Sequence, residues 1–136
     1  MKTKKVNRYY CDHCKKSGCS ARHMKKHETG CTLNPNRICG YCRISEIEQM
    51  EMKRLLDVLP CPPTEIEDEY GWIGYGDIPD IEIAIDKLRE LTQNCPMCIF
   101  SALRQKDIPI YMTKFNYKED TDVFWNNFND ANSGGV

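Results

Sequence analysis

The 136-residue sequence has no apolar run of the length that spans a bilayer, and no apolar segment follows its basic first ten residues. A transmembrane helix needs about 20 consecutive, predominantly apolar residues, and a secretion signal needs an apolar core after its charged start. We therefore expect neither a membrane segment nor a signal peptide. Charged residues make up 29% and hydrophobic residues 40%, which is typical of a soluble globular domain with one modest core.

Motifs of common catalytic sites are also missing. The glycine-rich stretch GWIGYGD matches neither a phosphate-binding loop nor a dinucleotide fingerprint, and no H-x-E…C-x-x-C deaminase pattern occurs. The chain has only three histidines. Two of them, His13 and His23, could serve a metal-dependent nuclease, but nothing else in the sequence supports that activity. We therefore expect that the protein is not an enzyme.

Cysteine, by contrast, is abundant, with nine residues in the chain. An odd count, CxxC pairs and the missing secretion signal favour metal binding in a reducing, intracellular compartment over a disulfide framework. Six of the nine cysteines and all three histidines lie within residues 9–42. This stretch is therefore the first place to look for a metal site.

The ligand spacing in this stretch is C-x2-C-x12-H-x3-C, formed by Cys11, Cys14, His27 and Cys31. A CxxC turn offers two thiolates on one tight loop, and an i, i+4 pair on a helix offers two more ligands on one face. Together they close a tetrahedron around zinc. The spacing therefore predicts a zinc site, with a set of reduced, buried thiols as the alternative.

This motif resembles the zinc-finger family with two Cys and two His ligands, in its variant with a final Cys. Over about residues 9–31, Tyr9 takes the family's aromatic position and Met24 takes the position of its Leu. The family's central Phe falls on Gly18, a departure that affects the expected ββ half of a ββα finger more than the metal site. Cys19, next to it, is expected to be buried as a small apolar side chain.

A rival ligand set exists because His23 and His27 are also an i, i+4 pair. In that set the two histidines join Cys11 and Cys14, and Cys31 stays free. The twelve-residue spacing favours the first set, in which the final ligands are His27 and Cys31.

Two further CxxC pairs, Cys39/Cys42 and Cys95/Cys98, are separated by 52 residues. Each pair is half of a site, and together their four thiolates form a closed tetrahedral zinc site. The sequence thus predicts a second, structural zinc ion, with the intervening chain starting and ending at the metal. The alternatives are an iron–sulfur cluster on the same cysteines and a last CxxC that only opens a helix.

The expected fold is a small, mainly α domain that two zinc ions stabilise. An N-terminal zinc finger precedes a helical part held by the four-cysteine site. The predicted division is a basic arm at 1–8, the finger at 9–38, the helical part at 39–130 and a flexible tail at 131–136.

Apolar stripes and capping signals predict the helices. They are expected over 21–28, 46–58, 81–93, 97–106 and 117–129. Ser45 and Glu48 have capping-box spacing before the second of these. Asp80 is expected to cap the third, and Asn116 with Glu119 the last. An extended segment is expected over 108–115.

Residues 60–79 are acidic and contain prolines, glycines and aromatic residues. This composition predicts a long loop, and long loops in small domains are often functional. We expect a surface connector in which Trp72 and Tyr75 pack on the core, with a functional loop as the alternative.

Charge is divided unevenly along the chain. Residues 1–43 contain eleven Lys and Arg against two acidic residues, whereas residues 44–136 contain eight against eighteen. Such an asymmetry indicates nucleic-acid contact at the basic end. The alternative is that the two halves neutralise each other within the fold.

The finger resemblance implies which residues would touch nucleic acid, because helix positions −1, 3 and 6 of such fingers face base edges. Counted back from the ligand histidine, these positions are Ser20, His23 and Lys26, with Arg22 beside them. Lys25 is expected to meet phosphates.

Two non-enzymatic functions remain. One is weak, largely electrostatic nucleic-acid binding, to DNA more than RNA. The other is a protein-interaction factor whose acidic helical part binds a partner. The run C-x2-C…H-x3-C…NPNR-x-C-x2-C followed by a distant CPxC is loosely similar to small accessory zinc proteins of bacteriophages. That resemblance implies an inhibitor of a host protein as one form of the second function.

Overall fold

The computed structural model describes residues 1–133, which form six α-helices and two two-stranded antiparallel sheets. In chain order the elements are β1 (Tyr9–Tyr10), β2 (Ser17–Gly18), α1 (Ala21–Gly30), α2 (Gly40–Ile44), α3 (Met52–Val58), β3 (Glu65–Glu67), β4 (Ile73–Tyr75), α4 (Ile81–Thr92), α5 (Pro96–Gln105) and α6 (Tyr117–Ser133). Of the predicted tail 131–136, α6 includes the first three residues, and 134–136 lie outside the described residues.

The N-terminal elements form a small ββα unit. Tyr9 pairs with Gly18 across the antiparallel β1–β2 hairpin, so the two-stranded half forms although the family's central Phe is missing. Met24 of α1 is buried with two of the cysteines, and Tyr9 and Leu33 pack against them. Residues 32–38, the last part of the predicted finger segment, form the connector after the ββα unit. Leu33 of this connector adds an apolar side chain that the family pattern did not predict.

The main core lies between α3, α4 and α5. Helix α4 buries residues at i, i+3, i+4 and i+7, which is the stripe of an amphipathic helix. The buried apolar residues of these three helices include Leu55, Ile81, Ala84, Ile85, Leu88, Ile99, Ala102 and Leu103. The predicted helices over 81–93 and 97–106 therefore match α4 and α5 within one residue at each end.

The predicted helix over 46–58 is wrong in its first half. Ser45 ends α2 instead of capping a new helix, and Glu46 has a φ of 57°, a left-handed conformation that no continuous helix contains. Helix α3 begins only at Met52.

Long-range hydrogen bonds of Gln49 accompany this break. Its Nε2 donates to the Arg37 carbonyl oxygen at 2.7 Å, and its Oε1 accepts from the Cys39 N–H at 2.6 Å. Local capping signals carry no information about such bonds, so tertiary structure overrides the local preference here.

The other cap predictions have mixed outcomes. Asp80 precedes α4 in a left-handed conformation and makes no side-chain capping bond. Asn116 does cap α6, since its Oδ1 accepts from the Glu119 N–H at 3.1 Å. The segment predicted as extended, 108–115, contains a 3₁₀ turn at Ile110–Met112.

The predicted loop at 60–79 contains the β3–β4 hairpin. Trp72 and Tyr75 are 76% and 45% exposed, so the expectation that they pack on the core is wrong. The tight turn is built locally around Asp68, whose Oδ1 accepts from the N–H groups of Tyr70 and Trp72, both at 2.9 Å. Gly71 completes the turn with a φ of 83°, which favours glycine.

The finger is fastened to the end of α5. Gln105 Nε2 donates to the carbonyl oxygens of Thr32 and Asn34 at 2.9 and 3.0 Å, and Arg104 Nη1 donates to Thr32 Oγ1 at 2.7 Å. These bonds hold the connector after the finger against the helical part. Among the helices of residues 1–133, none has both the length and the apolarity that crossing a bilayer requires.

Leu88→Ala should lower the free energy of unfolding by about 2–5 kcal/mol, because it leaves a cavity at a fully buried position. Ile83→Ala on the same helix is the matched control. Ile83 is 56% exposed, so its truncation should change the free energy by no more than about 0.5 kcal/mol. Urea unfolding of the zinc-loaded protein, followed by circular dichroism, measures both; equal losses would contradict this core.

Candidate metal centres

The first cluster contains Cys11, Cys14, His27 and Cys31, whose ligand atoms all lie within 4.8 Å of one another. The Cys14 Sγ and His27 Nε2 atoms are 3.2 Å apart. Ligands bound to one tetrahedral zinc ion lie about 3.5–3.8 Å from each other, given bond lengths of about 2.0–2.3 Å. The four groups are therefore close enough together to bind one tetrahedral zinc ion.

Backbone hydrogen bonds shape the CxxC turn between β1 and β2. The His13 N–H donates to Cys11 Sγ, and the Lys16 N–H donates to Cys14 Sγ, both at 3.4 Å. The Cys11 N–H donates to the Lys16 carbonyl oxygen at 2.9 Å. Both sulfur atoms thus point to the same side of the turn with donors that stabilise the thiolate form.

Helix α1 and the residue that follows it supply the other pair of ligands. Ser20 Oγ accepts from the His23 N–H at 3.3 Å and caps the helix, and Met24 anchors its inner face. His27 lies in the last turn of α1, whereas Cys31 follows the helix as its C-cap residue with a non-helical ψ of 132°, so the last ligand lies just beyond the helix and not on it as expected. His23 is exposed and lies outside the cluster, so the structure does not assemble the rival ligand set.

The cysteines of this cluster differ in their tendency to ionise. Burial raises the pKa of Cys14, but hydrogen bonds from the Lys16 backbone and the His27 side chain outweigh it and lower the pKa to about 7. Burial raises the pKa of Cys31. The thiolate is the metal-binding form of cysteine. The lowered pKa of Cys14 favours this form near neutral pH, whereas Cys31, whose pKa is raised, must lose its proton when the metal binds.

The second cluster contains Cys39, Cys42, Cys95 and Cys98, again with all ligand atoms within 4.8 Å. The Sγ atoms of Cys39 and Cys95 are 3.5 Å apart, and so are those of Cys42 and Cys98. All four are at most 2% exposed and belong to the main hydrophobic core. The two distant CxxC pairs thus meet as predicted.

Both pairs in this cluster lie at helix starts. Cys39 immediately precedes α2, and its Sγ accepts from the Cys42 N–H at 3.4 Å. Cys95 immediately precedes α5, where Pro96 takes the first helical position, one that needs no N–H donor. The positive end of a helix favours a thiolate, so each helix start suits metal binding.

Four buried thiols cannot all ionise side by side without a cation, because their charges repel. Hydrogen bonds from Cys42, Cys95 and Cys98 lower the pKa of Cys39, while contacts with its three neighbours raise the pKa of Cys98. A divalent metal ion removes this conflict by replacing the protons. The donor atoms, their closed geometry and their spacing indicate two zinc ions, one in each cluster.

Tyr41 of α2 and Tyr117 of α6 pack against the core that contains the second cluster. Tyr41 lies between the ligands Cys39 and Cys42. Its ring centroid is 4.8 Å from that of Phe124, and its hydroxyl oxygen is 3.4 Å from that of Tyr117. Burial and the contact with Tyr41 raise the pKa of Tyr117 to about 12, which keeps this phenol neutral. Sequence reasoning missed Tyr41, whose position inside the CxxC was the available signal, and Gln49, for which there was none.

The predicted nucleic-acid residues lie on or at the start of α1. Ser20 is half-buried, whereas Arg22, His23, Lys25 and Lys26 are exposed. Within residues 1–133 none of these four forms an ion pair. The structure therefore leaves the charges of Arg22, Lys25 and Lys26 without an acidic partner within residues 1–133.

Cys19 is exposed, so the expectation that it is buried is wrong. It lies just after β2, where its Sγ accepts from Arg8 Nη1 at 3.9 Å, and Arg8 Nε donates to Ser17 Oγ at 3.1 Å. Cys61 is exposed as well. Neither cysteine lies in a metal cluster.

No protein-family model, no curated protein and no solved structure matches this chain. No comparison therefore links it to bacteriophages, and that resemblance stays a prediction. The functional interpretation depends on the two clusters and on the surfaces around them.

Metal analysis of the purified protein should give two zinc equivalents, because two complete ligand sets exist. A limiting amount of chelator should remove the finger zinc first, since Cys14 and His27 are partly exposed whereas the second set is buried. Native mass spectrometry of wild type and of Cys14→Ser identifies which zinc leaves. One zinc equivalent, or a coloured iron chromophore, would contradict the assignment.

Ligand choice in the finger can be tested by single substitutions. His27→Ala and Cys31→Ser should each lose one zinc ion, whereas His23→Ala, the matched control on the same helix, should retain both. Zinc content by mass spectrometry measures the outcome. Loss of zinc in His23→Ala together with full zinc content in Cys31→Ser would establish the rival set.

Proposed function

We propose that this is a non-enzymatic zinc protein that binds nucleic acid, DNA in preference to RNA, through α1 of its finger. The observation that supports it is the basic face of α1, which we define as Arg22, Lys25 and Lys26. All three are exposed and have no acidic partner within residues 1–133.

The helix geometry supports this proposal. Residues on an α-helix are about 100° apart around the axis, so Arg22 and Lys26 lie side by side, opposite the buried Met24. His23 is exposed beside them. Ser20 accepts the capping bond of α1 but keeps its hydroxyl hydrogen for donation to a base or phosphate.

The metal clusters favour binding over catalysis. Each has four protein ligands, and a catalytic zinc keeps one coordination position open. The zinc ions therefore act by holding the finger and the core in shape. A single finger reads about three base pairs, so binding is weak and gains from the basic arm at residues 1–8.

Fluorescence anisotropy with labelled DNA and RNA oligonucleotides tests this function. Affinity should fall steeply as salt rises from about 50 mM, because each phosphate contact releases counterions. The variant Arg22→Ala/Lys25→Ala/Lys26→Ala should bind more weakly, and its slope of log K against log salt should be smaller by about 2–3.

The matched control removes three exposed basic residues of the helical part, Arg54→Ala/Lys87→Ala/Lys118→Ala. It changes the net charge equally but should keep most of the affinity. No binding at about 50 mM salt, or equal binding by both triple variants, would reject the basic face as the nucleic-acid site.

A second candidate function is binding of a partner protein by the acidic helical part, in which zinc is purely structural. The exposed β3–β4 hairpin favours it, because Tyr70 and Trp72 are 80% and 76% exposed. Exposed aromatic side chains are typical anchors of protein interfaces. An inhibitor of a host protein would be one form of this function.

A further inference from the structure

The segment 55–86 contains nine acidic residues and no Lys or Arg. Within it the β3–β4 hairpin and its turn, residues 64–76, form what we call the acidic hairpin. Its carboxylates are Glu65, Glu67, Asp68 and Glu69. Such a concentration of negative charge attracts a positively charged surface.

The acidic hairpin is held by its own hydrogen bonds. The Asp68 N–H donates to the Trp72 carbonyl oxygen at 2.9 Å, and the Gly76 N–H donates to the Thr64 carbonyl oxygen at 3.0 Å. Residues 65–75 are all exposed. A hairpin that is already formed loses little conformational entropy on binding.

Its surface combines charge with apolar area. The strand register places Glu65 opposite Tyr75 and Glu67 opposite Ile73, so these four side chains share one face. Trp72, beside the turn, is 76% exposed. Carboxylates next to aromatic rings suit a partner with Lys and Arg side chains, which pair with the former and stack on the latter.

The chain itself contains a surface of that chemistry. The basic face of α1 is exposed, and residues 1–43 contain eleven Lys and Arg. Within residues 1–133 the ion pair is Arg89–Asp120, which involves neither surface. The two surfaces therefore remain unmatched within one copy.

We propose that the acidic hairpin of one copy binds the basic face of α1 in a second copy. Two reciprocal contacts of this kind close a dimer, whereas a single contact per pair extends into a chain. The hairpin is small beside the surface of about 800 Å² per partner in a stable interface. Self-association is therefore weak, sensitive to salt and in competition with nucleic acid for the same basic face.

Sedimentation velocity of the full, zinc-loaded chain over a concentration series tests the proposal. Self-association should weaken by about tenfold between about 50 mM and 500 mM salt, as screening shortens the reach of charges. Two variants, Glu65→Gln/Glu67→Gln/Glu69→Gln in the hairpin and Arg22→Ala/Lys25→Ala/Lys26→Ala in α1, should each be monomeric alone.

Mixing the two variants gives the decisive result. The hairpin variant keeps an intact basic face and the α1 variant keeps an intact hairpin, so the mixture should form mixed dimers through one contact. The control Glu48→Gln/Asp57→Asn/Glu90→Gln neutralises three exposed acidic residues outside the hairpin and should self-associate like wild type. Zinc content and circular dichroism establish that every variant is folded.

A wild type that is monomeric at all concentrations would overturn the proposal. So would a mixture that stays monomeric at concentrations well above those at which wild type associates, or a variant that associates like wild type. The inference shares the basic face with the proposed nucleic-acid binding but does not depend on it. Self-association without oligonucleotide binding would reject only the proposed function, and oligonucleotide binding by a strict monomer would reject only this inference.

Discussion

The meeting of Cys39 and Cys42 with Cys95 and Cys98 is the constraint on which the helical part depends. One zinc ion at this point closes a loop whose ends are 56 residues apart. By analogy with a disulfide across the same separation, closure removes about 4 kcal/mol of chain entropy from the unfolded state. A domain of this size has a modest core, so a contribution of that order is a large fraction of its stability of about 5–15 kcal/mol.

The same cluster also determines where the finger lies. Gln49 bonds to Cys39 and to Arg37, which joins a ligand of the second zinc to the connector after the finger. Gln105 of α5 bonds to that connector from the other side. Hydrogen bonds of Gln49 and Gln105 thus help to hold the finger against the helical part.

Sequence reasoning succeeded where spacing reflects strict geometry. The short CxxC spacings of both clusters suit tetrahedral coordination, and the stripe of α4, which buries Ile85 and Leu88, reflects the helical period. Sequence reasoning failed where contacts between distant residues determine the backbone conformation. The expected helix over 46–58 is interrupted at Glu46, close to the long-range hydrogen bonds of Gln49. Trp72 is exposed in a hairpin whose turn is held by local hydrogen bonds to Asp68. Composition alone could not separate such a hairpin from a packed loop.

The 52 residues between the two halves of the buried cluster set an order of events during synthesis. All four finger ligands have been synthesised once the chain reaches residue 31. The second ligand set, which includes Cys39 and Cys42, is complete only when Cys98 has been synthesised. At translation rates of about 5–20 residues per second, that interval is about 3–11 s. During it Cys39 and Cys42 lack their second CxxC pair, so the ligand set of the finger is complete before that of the buried cluster.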